Sequence, residues 1–267
     1  MGARMRVQEF TGSEVHRNIQ RRLLARHAEI AADPSLGNGG RLLNVLDPES
    51  FGWDRIVAEV EQDRFLALTA MDRATIYDRI QVVFGTAVEV PSWDVFFGQA
   101  ETVGQRCATL VDGLREGWTV ISHTAPDPAI ISAVQELNVV CGVAPTPAWY
   151  MRGDVVPHLT TCIYTANGAL AACALVSDRY HADGPLAGSV FIGSVSVSSE
   201  HRGTGLGVAA SARALIDSAE AFGWTSVLAQ AAPDNTASRA MLERCGLTQD
   251  PARVTVAINA SGAAITR

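Results

Sequence analysis

The sequence predicts an α/β (α+β) protein: a mixed, mainly antiparallel sheet flanked by helices, preceded by a mostly helical N-terminal extension. Three observations lead there. From about residue 116, apolar residues recur by turns at period two and at period 3.6, as they do in strands and helices. Two strand-like runs are joined by Ala166-Asn167-Gly168, a hairpin turn signal, while other strands are separated by whole helices. Antiparallel neighbours and crossovers therefore coexist. Hydrophobic residues make up 48% of the 267 residues and charged residues 18%, enough to bury a sizeable core.

In chain order, Val15, Ile19, Leu23 and Ile30 mark an apolar stripe between Glu14 and Ala32. Residues 33–40 read as a loop by composition. Helices are expected near 51–62, 72–83 and 99–115; in the last, Val103, Cys107, Leu110, Val111 and Leu114 recur at helical spacing. Stretches 65–70 and 81–90 read as strands. Residues 1–115 are thus a mostly helical region and residues 116–267 an alternating one. The second region opens with a strand at 118–123. A helix follows with Asp127 as cap, Pro128 in its first turn and Ile130, Val134, Leu137 and Cys141 on it. Strands 160–165 and 169–176 form the hairpin, and 189–198 is another strand. A helix over 207–222 ends at Gly223, strand 225–231 follows, a short helix over 235–245 stops at Gly246, and 253–259 is the last strand.

Composition excludes several functions. The net charge is −7, and all 21 basic residues are arginine. A polyanion-binding surface would be basic, so no nucleic-acid partner is expected. Arg17, Arg21, Arg22 and Arg26 read as the solvated face of a helix. No apolar run reaches the ~18 residues of a membrane span, and the N-terminus has no apolar signal core. The five cysteines are widely spaced without a CxxC, so neither a disulfide framework nor a metal site is expected, and a cytoplasmic setting fits.

The segment that carries chemistry is Ser198-Ser199-Glu200-His201-Arg202-Gly203-Thr204-Gly205-Leu206-Gly207, between a strand and a long helix. Its glycines let the backbone curl, and the next helix begins with N–H groups that lack internal partners. Those donors and the helix dipole favour a phosphate, with Arg202 beside them. A bare glycine-rich turn without ligand is the alternative. The patterns GxxxxGK[ST] and GxGxxG are both absent. What remains, Arg202-x-x-Gly205-x-Gly207, resembles the acyl-CoA pyrophosphate loop of the GNAT superfamily of N-acetyltransferases. Downstream, the stretch from Asn235 through Ser238 to Cys245-Gly246-Leu247 is similar to the second signature of that family.

The resemblance covers roughly residues 116–267 and implies a set of roles. The backbone N–H of Val195 would meet the thioester oxygen, and Val197 would pair with the pantetheine arm. Arg202, Gly203, Thr204, Gly205, Leu206, Gly207 and Val208 would hold the pyrophosphate, and Asn235 and Ser238 would contact pantetheine or phosphate. The family's usual base positions fall on Phe191 and Gly193 and its usual tyrosine acid on Leu242, none of which titrates. Tyr164, on the neighbouring hairpin, is the weak substitute. Tyr180 and His181 are expected to be exposed, Trp149 and Tyr150 to face substrate or pack, Cys245 to be buried, and Glu200 to cap the turn. The expected function is transfer of an acetyl or short acyl group from acetyl-CoA, as cosubstrate, to a small-molecule or peptide amine within a ternary complex. The alternative is a non-catalytic acyl-CoA sensor. Residues 1–115 would cover the cleft, shape the amine site or mediate a homodimer.

Overall fold

The computed structural model describes residues 6–111 and 116–261. Its helices are α1 (Glu14–Ala25), α2 (His27–Ala32), α3 (Pro48–Phe51), α4 (Trp53–Asp63), α5 (Ile76–Phe84), α6 (Ala100–Ala108), α7 (Pro128–Val140), α8 (Ala148–Met151), α9 (Leu206–Phe222) and α10 (Thr236–Arg244). Its strands are β1 (Leu36–Asn38), β2 (Leu43–Val45), β3 (Phe65–Asp72), β4 (Ser92–Gln99), β5 (Thr119–His123), β6 (His158–Tyr164), β7 (Leu170–Ser177), β8 (Ser189–Val197), β9 (Ser226–Ala231) and β10 (Thr248–Asn259). All ten belong to one sheet in the order β1-β2-β3-β10-β4-β9-β8-β7-β6-β5. The pairs β2/β3 and β8/β9 are parallel and the rest antiparallel.

Local chemistry sets most of these elements. Asp127 accepts from the N–H groups of Ala129 and Ile130 at 2.8 and 2.9 Å, and Pro128 occupies the first turn, so α7 starts where the sequence places it. Gly168 takes φ +80° in the β6–β7 turn, and Gly223 takes φ +68° where α9 ends. Helix α9 lies against β6, β7 and β8, burying Val208, Ala212 and Leu215 on one side of the sheet. Val103 and Cys107 of α6 complete that core. Helices α7 and α8 pack on β6 and β7 in a second cluster, and α1, α4 and α5 pack with β3 and β10 in a third.

The N-terminal region departs from the expected pattern in an informative way. The helices are present, yet residues before 100 also supply four strands of the common sheet. Residues 36–38 form β1 instead of a loop, with Leu36 buried. Residues 81–84 end α5 instead of opening a strand, because Ile76 and Ile80 recur at helical spacing and both are buried while Val82 is exposed. Leu114 of the expected helix lies outside the described residues. Strand β4, unforeseen in the sequence, runs between β9 and β10 and is bonded to both, with Phe96 opposite Ala229 on one side and Gln249 on the other. The last two strands of the chain therefore flank, and are each bonded to, a strand from its first hundred residues.

Phe96 is wholly buried at that seam. Phe96→Ala is expected to cost about 3–5 kcal/mol in denaturant unfolding. A fragment spanning 116–267 lacks β4 and leaves two apolar strand edges unpaired; it is expected to aggregate or to unfold without cooperativity where the whole chain folds.

Candidate active site

The site begins where β8 parts from β9. Parallel pairing runs from Ser189 opposite Ser226 to Ile192 opposite Ala229 and then stops. At the same point β8 carries a bulge: the two steps from Cys173 to Leu175 on β7 face the three from Gly193 to Ser196 on β8. Ser194 takes φ +50° to make it. The extra residue changes the parity of the strand. Val190 and Ile192 point into the core under α9, and after the bulge Val195 and Val197 do so, in place of Ser194 and Ser196. Ser198 N donates to Ala171 O at 2.8 Å, so the main-chain groups of 196 and 198 serve β7. Those of Val195 and Val197 face the opposite, open edge. There the Val197 carbonyl accepts from Cys141 Sγ at 3.1 Å and from Arg202 Nε at 3.4 Å.

The glycine-rich loop follows directly. Ser198 Oγ lies 2.8 Å from His201 Nδ1, and Thr204 Oγ1 donates to His201 O at 2.6 Å, so side chains of the loop tie it to itself. Gly203 and Gly205 have φ +74° and +87°, and a Cβ at either would meet no atom within 4 Å. Their requirement is conformational, and open space lies above them. Gly205 is the N-cap of α9 and provides no side-chain cap. The first helical bond is from Ala209 N to Gly205 O, so the N–H groups of Leu206, Gly207 and Val208 have no helical partner. Arg202 stands exposed beside them. Exposed glycines, free amides and a guanidinium suit a diphosphate.

Across the opening, Asn235 caps α10, its Oδ1 accepting from Ser238 N at 3.1 Å. Both line a cavity of about 740 Å³ that continues from Val195 and Ser194 toward Arg41, Tyr150, His158 and Arg179. The cavity is thus walled by both the C-terminal sheet and the N-terminal region. His158 is buried with neither ring nitrogen hydrogen-bonded, and burial pushes its pKa down to about 3. His16 is also held below its ordinary value, by burial and then by the charge of Arg41; its Nε2 has no partner. Both imidazoles are neutral near pH 7.

The other expected candidates are placed as follows. Tyr164 does not line the cavity; it packs, half-buried, against the core cluster that α7 forms with β6 and β7, at the end of β6 opposite His158. Trp149 is fully buried, and Tyr150 lines the cavity with its hydroxyl donating to Asn38 O at 2.9 Å. Tyr180 is buried, contrary to expectation, against Phe191 and Leu228, because the loop after β7 folds inward over β8. Cys245 and Leu242 are core residues, and Glu200 is exposed in a turn. At Gly193 a Cβ would lie 2.6 Å from the Phe191 ring, so this pair fills the two customary base positions with a ring folded over a glycine. Arg41, His158 and Arg179 carry no sequence motif and were not foreseen as site residues.

Residues 133–247 match the family model for the acetyltransferase (GNAT) family. Among solved structures, the chain is similar to a tandem GNAT protein from the clavulanic acid biosynthesis pathway, at 15% identity over 91% of this chain and 89% of that one, with a TM-score of 0.57. It is similar to a GCN5-related N-acetyltransferase from Kribbella flavida at 17% identity, over 88% of this chain and 81% of that one, with a TM-score of 0.56. It is also similar to a GCN5-related N-acetyltransferase-like protein from Streptococcus suis 89/1591, at 16% identity over 90% and 100%, with a TM-score of 0.53. No curated protein matches the chain by sequence. At these identities the structural likeness is one of fold. The parted strands, the bulge and the open helix N-terminus lie within or beside the segment, residues 133–247, that matches the GNAT acetyltransferase family model.

Proposed function

We propose that the protein is an N-acyltransferase that moves an acetyl or short acyl group from acyl-CoA to a primary amine in a ternary complex. The observation that carries this reading is the break in β8/β9 pairing at a bulge that faces the uncapped start of α9. An extended chain fits along the open edge of β8, where Val197 would pair with pantetheine. Arg202 through Val208 would hold the pyrophosphate, with Asn235 and Ser238 flanking the arm. The acyl-CoA supplies a thioester whose carbonyl carbon is open to attack. As the amine nitrogen bonds to that carbon, the Val195 N–H stabilises the charge growing on oxygen, a donor fixed before reaction. The C–S bond then breaks, the thiolate leaves with the electron pair, and the proton that the new amide nitrogen gives up balances the one the thiolate gains.

The acceptor ammonium must first lose a proton. Among the described residues, no aspartate or glutamate lines the cavity, while two arginines do. A cationic surrounding disfavours ammonium and favours the free amine, which offsets the lack of a carboxylate base at Phe191 or Gly193. The neutral His16 ring, with Nε2 free of partners, is available to take the proton.

Two experiments test the reading. Acetyl-CoA at 100 times its dissociation constant is expected to stabilise the protein by about 2.7 kcal/mol in thermal unfolding. Gly205→Val, which forces a branched side chain to φ +87°, is expected to fold and lose that shift. A folded variant that keeps full affinity contradicts the loop assignment. Ser194→Val is expected to flatten the bulge and lower kcat by about 10²–10³ with acetyl-CoA affinity kept, as loss of one oxyanion donor does. Ser194→Gly tolerates φ +50° and is expected to retain activity. Tight binding of acetyl-CoA without amine-dependent thiol release from any acceptor would instead mark a sensor.

A further inference from the structure

The acceptor cavity has a charge opposite to that of the protein. The chain carries −7 overall, yet among the described residues the cavity lining includes Arg41 and Arg179 and no acidic residue. Elsewhere in the fold, arginines that are partly buried are matched by carboxylates. Asp94 is bonded by Arg73 at 2.6 Å and by Arg239 at 2.5 Å, and Glu59 by Arg22 at 3.2 Å and Arg26 at 2.7 Å. Among the described residues, no carboxylate pairs with Arg41 or Arg179. Arg41 Nη1 donates to Ala144 O at 3.2 Å. The Arg179 guanidinium sits 3.7 Å from the centroid of the Phe191 ring, its Nη2 lies 3.3 Å from the Tyr180 hydroxyl, and its Nε is buried without a partner.

The neighbours of this pair do not neutralise it. Burial pushes the Tyr150 phenol up, so it is uncharged near pH 7. Burial, and then the charge of Arg179, brings Arg41 down to about 10, which leaves it cationic at neutral pH. Two half-buried like charges without a counter-ion are costly in a folded protein. Their retention beside a substrate-sized cavity points to an anion that arrives with a ligand. Planar guanidinium donors match an oxyanion.

We propose that the acceptor is an amine that also carries an oxyanion, a carboxylate or a phosphate, held by Arg41 and Arg179. The proposal rests on the reading of the cleft as an acyl-transfer site. The acceptor is the fitting source of the anion because Arg41 comes from the β1–β2 turn and Arg179 from the loop after β7. Both lie beyond the point where β8 and β9 close, whereas the phosphates of the acyl donor belong at the exposed start of α9. Acceptors that are purely cationic, such as polyamines, are repelled by the same pair.

The test has a binding arm and a turnover arm. In thermal unfolding, with coenzyme A absent and then saturating, glutarate and inorganic phosphate serve as oxyanion probes. At least one is expected to raise the Tm of the wild type by about 2 °C or more. Arg41→Met and Arg179→Met are expected to lose that rise, to keep their own Tm at or above the wild-type value, and to keep the coenzyme A shift. No rise in the wild type, or an equal rise in both variants, overturns the proposal. If one variant fails to fold, the other and Arg179→Gln carry the comparison. In turnover, thiol release is compared for amino acids against the amines lacking the carboxylate, and for amino sugar phosphates against amino sugars. The acid-bearing member is expected to be favoured by about tenfold or more through Arg41 and Arg179. Equal use of both members overturns the proposal, and so does an arginine-dependent preference for succinyl-CoA over acetyl-CoA with neutral amines. Oxyanion binding that needs both arginines, without coenzyme A binding or turnover, upholds the anion site and overturns the acyl-transfer reading alone.

Discussion

The arrangement depends on one constraint: β8 cannot continue its pairing with β9. The bulge at Ser194 shifts the strand by one residue, so the peptide groups of Val195 and Val197 face an open edge. Hydrogen-bonding groups on an open strand edge need a partner, and an extended ligand provides one in the way a further strand would. The same shift turns Val195 and Val197 toward α9, where Val197 and Met241 lie within ordinary contact of a Cβ built at Gly207. One backbone irregularity thus opens the cleft, aims a donor into it and seats the start of α9 against its floor.

The N-terminal region is bound into this arrangement. Because β4 passes between β9 and β10, the sheet that carries the cleft includes strands from both ends of the chain. The cavity then draws walls from α1, from the β1–β2 turn and from β10 as well as from β8. Charge follows the same division. The loop at 202–208 has an exposed arginine and free amides at the surface, while Arg41 and Arg179 are half-buried and line the cavity. Donor and acceptor would be recognised by separate cationic features on two sides of β8.

Much of this was legible in the sequence. Local signals were sufficient where they act locally: Asp127-Pro128 for the start of α7, Asn167-Gly168 for the hairpin, Gly223 and Gly246 for the ends of α9 and α10. The glycine spacing after Arg202 located the loop. Strand β4 was not legible, because Trp93, Val95, Phe96 and Phe97 do not alternate cleanly when both faces and both edges of a strand are covered. The bulge left no signal, since serine at φ +50° is imposed by the sheet and not by its own preference. Arg41 and Arg179 were silent for a related reason. Their meaning comes from the missing carboxylates around them, and only the fold shows which residues are neighbours.

The most direct measurement is a crystal structure of the protein with acetyl-CoA. The account predicts the diphosphate on the amides of residues 206–208, the pantetheine antiparallel or parallel to β8 along Val197, and the thioester oxygen within hydrogen-bond distance of Val195 N. A coenzyme bound elsewhere, or a cleft in which β8 and β9 have closed and left those amides unliganded, would contradict it.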